Sequence, residues 1–145
     1  MLILGVGSPS GDDQAGWLVV DALAETGVGA ELRKLDRPGA TLVGLLDEAP
    51  WVILIDAMQS GAPVGDIRHF ERDDWPAYAH GVSSHGFGVA EALALATALS
   101  GLPARLDLYG IEIGAVSPGA GPGAAILAAA RALARRIAGG LGAPR

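Results

Sequence analysis

Residues 51–56 read WVILID, an unbroken apolar run followed at once by an aspartate. An apolar run of this length is typical of a central strand that is buried on both faces of a parallel sheet. Leu2–Val6 is a second short apolar run of the same kind. We therefore expect Trp51–Ile55 and Leu2–Val6 to form the middle of an α/β sheet.

Strand and helix patterns alternate on either side of these two segments. Further strands are predicted at Ala30–Leu35 (more polar, and so nearer an edge), at Ile67–Phe70 and at Leu106–Ile113. Helices are predicted from the Asp12-Asp13 pair to Gly27, over Thr41–Glu48, over a segment that Ser84 caps and that runs from Phe87 to Leu99, and from Pro122 to Gly139-Gly140. This alternation predicts one α/β domain over residues 1–145. Its fold would be a three-layer sandwich of the phosphorylase/hydrolase-like type, with a mostly parallel twisted sheet of about five strands and helices on both faces.

The composition excludes several classes of function. The formal net charge is −6 and the basic residues do not interleave with aromatic ones, so no nucleic-acid partner is expected. The absence of cysteine excludes disulfides, thiolate metal ligands and a cysteine nucleophile. Every apolar run is shorter than the ~20 residues of a membrane span, and the N-terminus lacks a basic leader region. We expect a cytoplasmic protein with no membrane partner.

Three residues that are far apart in sequence are predicted to meet at one edge of the sheet. Asp13 follows the first strand, Asp56 ends the third, and His85 begins the helix after Ser83-Ser84. The carboxyl ends of parallel strands form the ligand-binding edge of such sheets. Two carboxylates and an imidazole can bind a divalent metal, or hold and deprotonate a water. Each residue alone is equally compatible with a structural role, and Asp12 is interpreted as the cap of the first helix.

Other chemistries fit these residues poorly. Gly5-Val6-Gly7 begins like a dinucleotide fingerprint, but Ser10 stands where the third glycine belongs. Asp12 and Asp13 would also repel a pyrophosphate at the start of the helix. No G-x-S-x-G elbow of a serine hydrolase is present. His69 and His80 have no evident partner in the sequence and are interpreted as surface residues.

Four segments together resemble the motifs of the hydrogenase maturation endopeptidases, which trim the large subunit of nickel-iron hydrogenases. The segments are GVGSPSGDDQAG at 5–16, LIDAMQSG at 54–61, SSHGFGVAEALALA at 83–96 and LYGIEIG at 108–114. They occur in the family's order and at compatible spacing, and the resemblance extends from Met1 to about Ile137. Each motif alone is weak, but the combination is specific.

The resemblance implies an activity and a ligand set. It implies an aspartic-type endopeptidase that removes the C-terminal extension of a nickel-iron hydrogenase large-subunit precursor and so activates the hydrogenase. The family's two acidic residues and one histidine, which ligate the nickel of the substrate, match Asp13, Asp56 and His85. No cofactor is expected to be permanently bound, because the nickel recognised at the site belongs to the precursor. The precursor is the expected partner, and the chain is expected to be a monomer.

The chain departs from the family pattern in the first loop, which is one residue shorter before the acidic pair and has Ser8 where asparagine is common. The shorter loop could shift Asp13 within the site. Two alternatives stay open: a peptidyl-tRNA hydrolase-like enzyme of the same architecture, and a proteolytically inactive scaffold that binds a metal or a partner. Trp75, Tyr78 and Phe87 are candidates either for a docking surface or for the core.

Overall fold

The computed structural model describes residues 1–82, 88–114 and 121–141. The strands are β1 Leu2–Gly7, β2 Glu31–Asp36, β3 Trp51–Met58, β4 Ile67–Glu71 and β5 Arg105–Glu112. The helices are α1 Ala15–Thr26, α2 Thr41–Leu46, α3 Trp75–Gly81, α4 Val89–Ala98 and α5 Ala124–Gly140. Short 3₁₀ turns at Gly11–Gln14 and Arg72–Asp74 precede α1 and α3.

The five strands form one sheet in the order β2-β1-β3-β5-β4. All neighbouring strands are parallel except β4, which runs antiparallel to β5. The two apolar runs, β1 and β3, are neighbours in the middle of the sheet and are buried along nearly their whole length. The polar strand β2 lies at one edge and none of its residues is fully buried. The prediction of a mostly parallel sheet with a polar edge strand is confirmed.

Two apolar cores lie on opposite faces of the sheet and make the three layers. One core joins alternate residues of β1, β3 and β5 to α1 and α5. The other joins the intervening residues of the same strands to α2, α3 and α4. Because side chains alternate across a strand, each central strand contributes to both cores. The predicted arrangement of helices on both faces is confirmed.

The strand order reverses at the carboxyl ends of β1 and β3, where α/β sheets form their ligand-binding crevice. After β1 the chain passes through α1 to β2 on one side, whereas after β3 it passes through β4, α3 and α4 to β5 on the other side. The helices that follow these two neighbouring strands therefore lie on opposite faces of the sheet. Ligands bind in α/β sheets where the strand order reverses in this way. This crevice lies between the segments that carry Asp13 and Asp56.

The segment between β4 and β5 differs from the sequence prediction. Helix α3 was not predicted, and it buries Tyr78 completely and Trp75 in part, so these two residues belong to the second core. Helix α4 begins at Val89 with Gly88 at its N-cap, and the Gly88 N–H donates to the Glu91 carboxylate at 3.1 Å. The predicted Ser84 cap is therefore wrong. Ser84 and Phe87 themselves lie outside the described residues.

Helix α5 is the longest described helix, with 17 residues, and packs seven buried residues against the first core. Its opposite side carries the exposed residues Arg131, Arg135 and Arg136. Within the described parts of the chain, no helix is both long enough and apolar enough to cross a membrane.

Candidate functional site

The lack of side chains at two glycines allows the loop after β1 and the start of α1 to pack closely against the central strands. A Cβ on Gly16, in the first turn of α1, would lie 2.4 Å from the carbonyl oxygen of Val6 and 2.7 Å from that of Ile55. A Cβ on Gly7 would lie 2.6 Å from the carbonyl oxygen of Asp13. These contacts are with backbone, which cannot rotate away. The glycine-rich strand end therefore serves close backbone packing, which places the Asp13 loop directly over β1 and β3.

Asp13 is held by a serine of the same loop. The Ser8 hydroxyl donates to the Asp13 carboxylate at 2.5 Å, and the loop is closed by the bond from the Asp13 N–H to the Ser10 carbonyl at 3.0 Å. Ser8 is buried, whereas Asp13 is partly exposed. The serine that departs from the family pattern thus orients the first acidic residue of the site.

Asp12 does not cap the first helix. The structure shows no side-chain hydrogen bond at the start of the 3₁₀ turn or of α1. Instead, one Asp12 carboxylate oxygen accepts the N–H of Gly123 at 2.7 Å. Gly123 is the N-cap residue of α5, where the free N–H groups of the helix favour a negative charge. Asp12 therefore joins the site loop to the start of α5, and the sequence interpretation is corrected.

Asp56 lies inside β3 rather than at its end. The strand continues to Met58 and pairs Asp56 with Gly110 of β5. On the other side, however, pairing with β1 stops at Ile55. Asp56 is thus the first residue of β3 beyond its pairing with β1, where the two strands separate. It is only 4% exposed, and one of its carboxylate oxygens accepts the N–H of Ala57 at 2.8 Å.

The environment of Asp56 disfavours its negative charge. Burial raises the pKa of Asp56 well above its usual range, the hydrogen bond from Ala57 opposes this in part, and the negative charge of Asp13 raises it further. A cation beside Asp56 would offset this effect by stabilising the charged form. A buried carboxyl in a crevice beside a second, more exposed carboxylate is the kind of pair that functional sites use.

The third predicted ligand, His85, lies outside the described residues, so its position beside the two aspartates stays a prediction. Among the residues that the structure describes, no group of three or more His, Asp or Glu side chains could hold a metal ion. A metal at Asp13 and Asp56 would therefore need further ligands from outside the described residues or from a bound substrate.

The sequence prediction did not single out Glu112 as a site residue, although it belongs to the quoted LYGIEIG motif. It is the last residue of β5, is 2% exposed, and lies opposite Met58 in the register of β3. Its carboxylate accepts the Ser60 N–H at 2.9 Å and the Ser60 hydroxyl at 2.5 Å. Glu112 thereby anchors the loop that follows β3, two residues beyond the end of the strand.

A second buried polar group lies on the same face of the sheet as Asp56. Tyr78 of α3 is 0% exposed, and its hydroxyl has no hydrogen-bond partner among the described residues. Burial raises the pKa of Tyr78 well above its usual range, and the charge of Asp56 raises it further. Tyr78 therefore lies within electrostatic reach of the candidate site.

His69 is exposed, as predicted, but the expectation that it has no partner is wrong. Its Nε2 lies 2.8 Å from the Asp107 carboxylate, and its ring stacks on Tyr109 with centroids 4.5 Å apart. Asp107 also accepts the Trp51 indole N–H at 2.7 Å. Asp107 and Trp51 lie at the amino ends of β5 and β3, opposite the crevice. This network joins β3, β4 and β5 and is not part of the candidate site.

The fold and the site together define a class of α/β protein with an acidic pair in the crevice between two central parallel strands. The family model described as hydrogenase maturation protease (HycI) matches residues 38–135, well over half of the chain. The chain belongs to the hydrogenase maturation protease family. The matched region contains β3 with Asp56, while Asp13 lies before it.

Curated relatives agree with this assignment. The chain is 32% identical over 118 residues to the hydrogenase expression/formation protein HupD of Rhodobacter capsulatus, an alignment that covers 77% of this chain and 56% of the relative. The HupD protein of Thiocapsa roseopersicina is also 32% identical over 118 residues, with 77% of this chain and 53% of the relative covered. The chain thus spans about half the length of the curated relatives it matches.

Solved structures show the same fold. The hydrogenase maturating endopeptidase HybD of E. coli superposes with a TM-score of 0.83 at 23% identity, covering 97% of this chain and 90% of HybD. The maturation protease HycI of Thermococcus kodakarensis gives a TM-score of 0.73 at 24% identity, covering 97% and 90%. At these identities the likeness supports the fold alone.

Proposed function

We propose that this chain is an endopeptidase that removes the C-terminal extension of a nickel-iron hydrogenase large-subunit precursor after nickel has been inserted. Asp13, Asp56 and His85 would engage the nickel that the precursor already carries. The chain itself would hold no permanent cofactor. We place this activity in the cytoplasm and assign it to the monomer.

The proposal rests mainly on Asp56, whose carboxyl is buried and accepts a single hydrogen bond. A carboxyl that is almost fully buried, with one oxygen bonded only to its neighbour's N–H, is unfavourable unless its charge is compensated. Since Asp13 adds a second negative charge nearby, the crevice is suited to a divalent cation that arrives with a ligand. Membership of the maturation protease family makes substrate nickel the natural cation.

The geometry also suggests how specificity would arise. A precursor without nickel forfeits the bonds to the carboxylates and leaves the two acids uncompensated, so it binds poorly. A loaded precursor gains those bonds and brings its scissile peptide to the edge of the sheet. A carboxylate of the pair, or a water bound at the nickel, would then promote hydrolysis of that peptide.

The direct test incubates the chain with nickel-loaded and nickel-free precursor and follows release of the C-terminal peptide by mass spectrometry. We expect cleavage of the loaded precursor at one peptide bond and no cleavage of the nickel-free form. Equal cleavage of both forms would contradict recognition through nickel. Binding of the loaded precursor without cleavage would instead support the inactive scaffold.

A pair of variants tests the ligand set. Asp56→Ala/His85→Ala is expected to abolish processing of the loaded precursor. The control is Asp47→Ala/His80→Ala, which removes the same two side-chain types at exposed positions. A site variant that processes the loaded precursor at the wild-type rate would refute the assignment. Salt-dependent binding of transfer RNA by the wild type would favour the peptidyl-tRNA hydrolase-like alternative.

A further inference from the structure

The Tyr78 hydroxyl is a buried polar group with an unmet hydrogen bond. The residue is 0% exposed, and its hydroxyl has neither a solvent contact nor a partner in the part of the chain that the structure describes. Its ring is well packed, since it meets Phe70 edge to face with centroids 5.8 Å apart. Phenylalanine would satisfy this packing without the unpaired hydroxyl. Buried unpaired groups of this kind are rare and often mark a working site.

The end of α3 is fixed against the end of β3, which brings Tyr78 toward Asp56. The Gln59 N–H donates to the Gly81 carbonyl at 2.8 Å, and Val82 forms a bridge with Met58. A Cβ on Gly81 would lie 2.1 Å from the Met58 methyl carbon, so the two segments are in close contact. Tyr78 lies one helical turn before Gly81, in the same core as Met58.

Asp56 offers a matching acceptor, because only one of its carboxylate oxygens accepts a hydrogen bond from the described residues. Its position in β3 directs it to the same face of the sheet as Leu54 and Met58, the face that α3 covers. One carboxylate oxygen accepts the Ala57 N–H, and no other hydrogen bond to the Asp56 side chain is made by the described residues. An acceptor and a donor, each with an unused position, thus lie between the sheet and α3.

We propose that Tyr78 is a positioning residue, whose hydroxyl donates a hydrogen bond to the Asp56 carboxylate in the transition state of peptide cleavage. This inference rests on the proposed function. Carboxylates that bind a metal are themselves held by hydrogen bonds, and loss of such a partner typically lowers metal affinity or activity roughly 10–100-fold. The bond is absent in the free chain and forms only in the transition state, not in the bound ground state. Its loss should therefore lower kcat and leave KM nearly unchanged.

The test is Tyr78→Phe, which removes one oxygen and keeps the ring. With nickel-loaded precursor we expect kcat to fall roughly 10–100-fold, while the urea midpoint of unfolding stays the same or rises. The control is Tyr109→Phe, because Tyr109 is the other tyrosine of the chain and lies in the network with His69 on the other face. Tyr109→Phe should cleave at the wild-type rate.

Three results, each obtained with an active wild-type chain, would overturn this inference alone. A wild-type kcat in Tyr78→Phe would show that the hydroxyl does not contribute to cleavage. A parallel fall in kcat and in the urea midpoint would show that Tyr78 acts only through stability. A rise in KM with unchanged kcat would place the hydroxyl in substrate binding instead. A wild-type chain that cleaves no precursor would overturn the proposed function, and this inference with it, which separates the two failures.

Discussion

Replacing Gly16 by alanine tests whether close backbone packing positions the site loop. The new Cβ would lie 2.4 Å from the Val6 carbonyl oxygen, whereas real Cβ atoms essentially never come within 3.0 Å of a neighbour. The start of α1 must therefore move away from β1 by about 0.6 Å, from 2.4 Å to 3.0 Å. The contact with the Ile55 carbonyl blocks the sideways escape toward β3.

This displacement should weaken both the fold and the site. Overpacking of this kind destabilises by about 1–3 kcal/mol. For a chain of this size, such a loss lowers Tm by roughly 2–12 °C. Asp13 lies three residues before Gly16 and would move with it. Since a misplacement near 1 Å can lower a rate on the order of 100-fold, we expect cleavage to fall roughly 10- to 100-fold.

The matched control is Gly44→Ala in α2. A Cβ there would meet nothing within 4 Å, and the residue is exposed. Alanine in place of a helical glycine should stabilise the chain by about 0.5–1 kcal/mol. Thermal unfolding of both variants, followed by circular dichroism and paired with the cleavage assay, gives the comparison. If Gly16→Ala unfolds at the wild-type Tm and cleaves at the wild-type rate, the packing argument is wrong.

Three further substitutions test other contacts. Asp12→Ala removes the acceptor of the Gly123 N–H and should lower the free energy of unfolding by about 0.5–1.5 kcal/mol in urea titrations, and an unchanged value would refute the link. Ser8→Ala leaves Asp13 unoriented and should lower kcat several-fold, with little change if the bond is incidental. Burial raises the pKa of Asp107, but hydrogen bonds from its neighbours outweigh this and hold it below the ordinary value of 3.8. Its ionised form therefore stabilises the fold above that pH, and this contribution is lost as the pH falls. Asp107→Asn should accordingly be less stable than the wild type at pH 7, and the difference should shrink as the pH falls below 3.8.

The sequence predicted those parts of the fold that depend on local pattern. Trp51–Ile55 and Leu2–Val6 are apolar on both faces, a pattern that suits only the middle of this sheet. Helix α3 has no such pattern, because its seven residues WPAYAHG are too few to show a helical period. Its place is determined by the burial of Tyr78 against the second core, which is a tertiary effect.

In the candidate site, too, the sequence predicted what depends on local pattern and missed what depends on contacts between distant segments. Asp56 was predictable because an aspartate directly follows an apolar run, although the strand itself continues past it. The contacts that orient the site residues were not, because they join distant segments: Asp12 and Gly123 are 111 positions apart, and Glu112 and Ser60 are 52 apart. The partner of His69 was missed for the same reason, since Asp107 lies on another strand. Spacing along the chain carries no signal for such pairs.

The central claim is that the Asp56 carboxylate engages the nickel of the precursor. Asp56→Asn tests it most directly, because this variant separates an effect on cleavage from an effect on stability. The pKa of Asp56 is raised in the fold, so the stability that its neutral form provides is lost as the pH rises through that pKa. Asparagine keeps the shape and carries no charge to bury. We expect Asp56→Asn to unfold at the wild-type urea concentration or above it at pH 7.5, and to cleave nickel-loaded precursor at least ~100-fold more slowly than the wild type. Cleavage at the wild-type rate, or a loss of cleavage that merely follows a lower unfolding midpoint, would contradict the account.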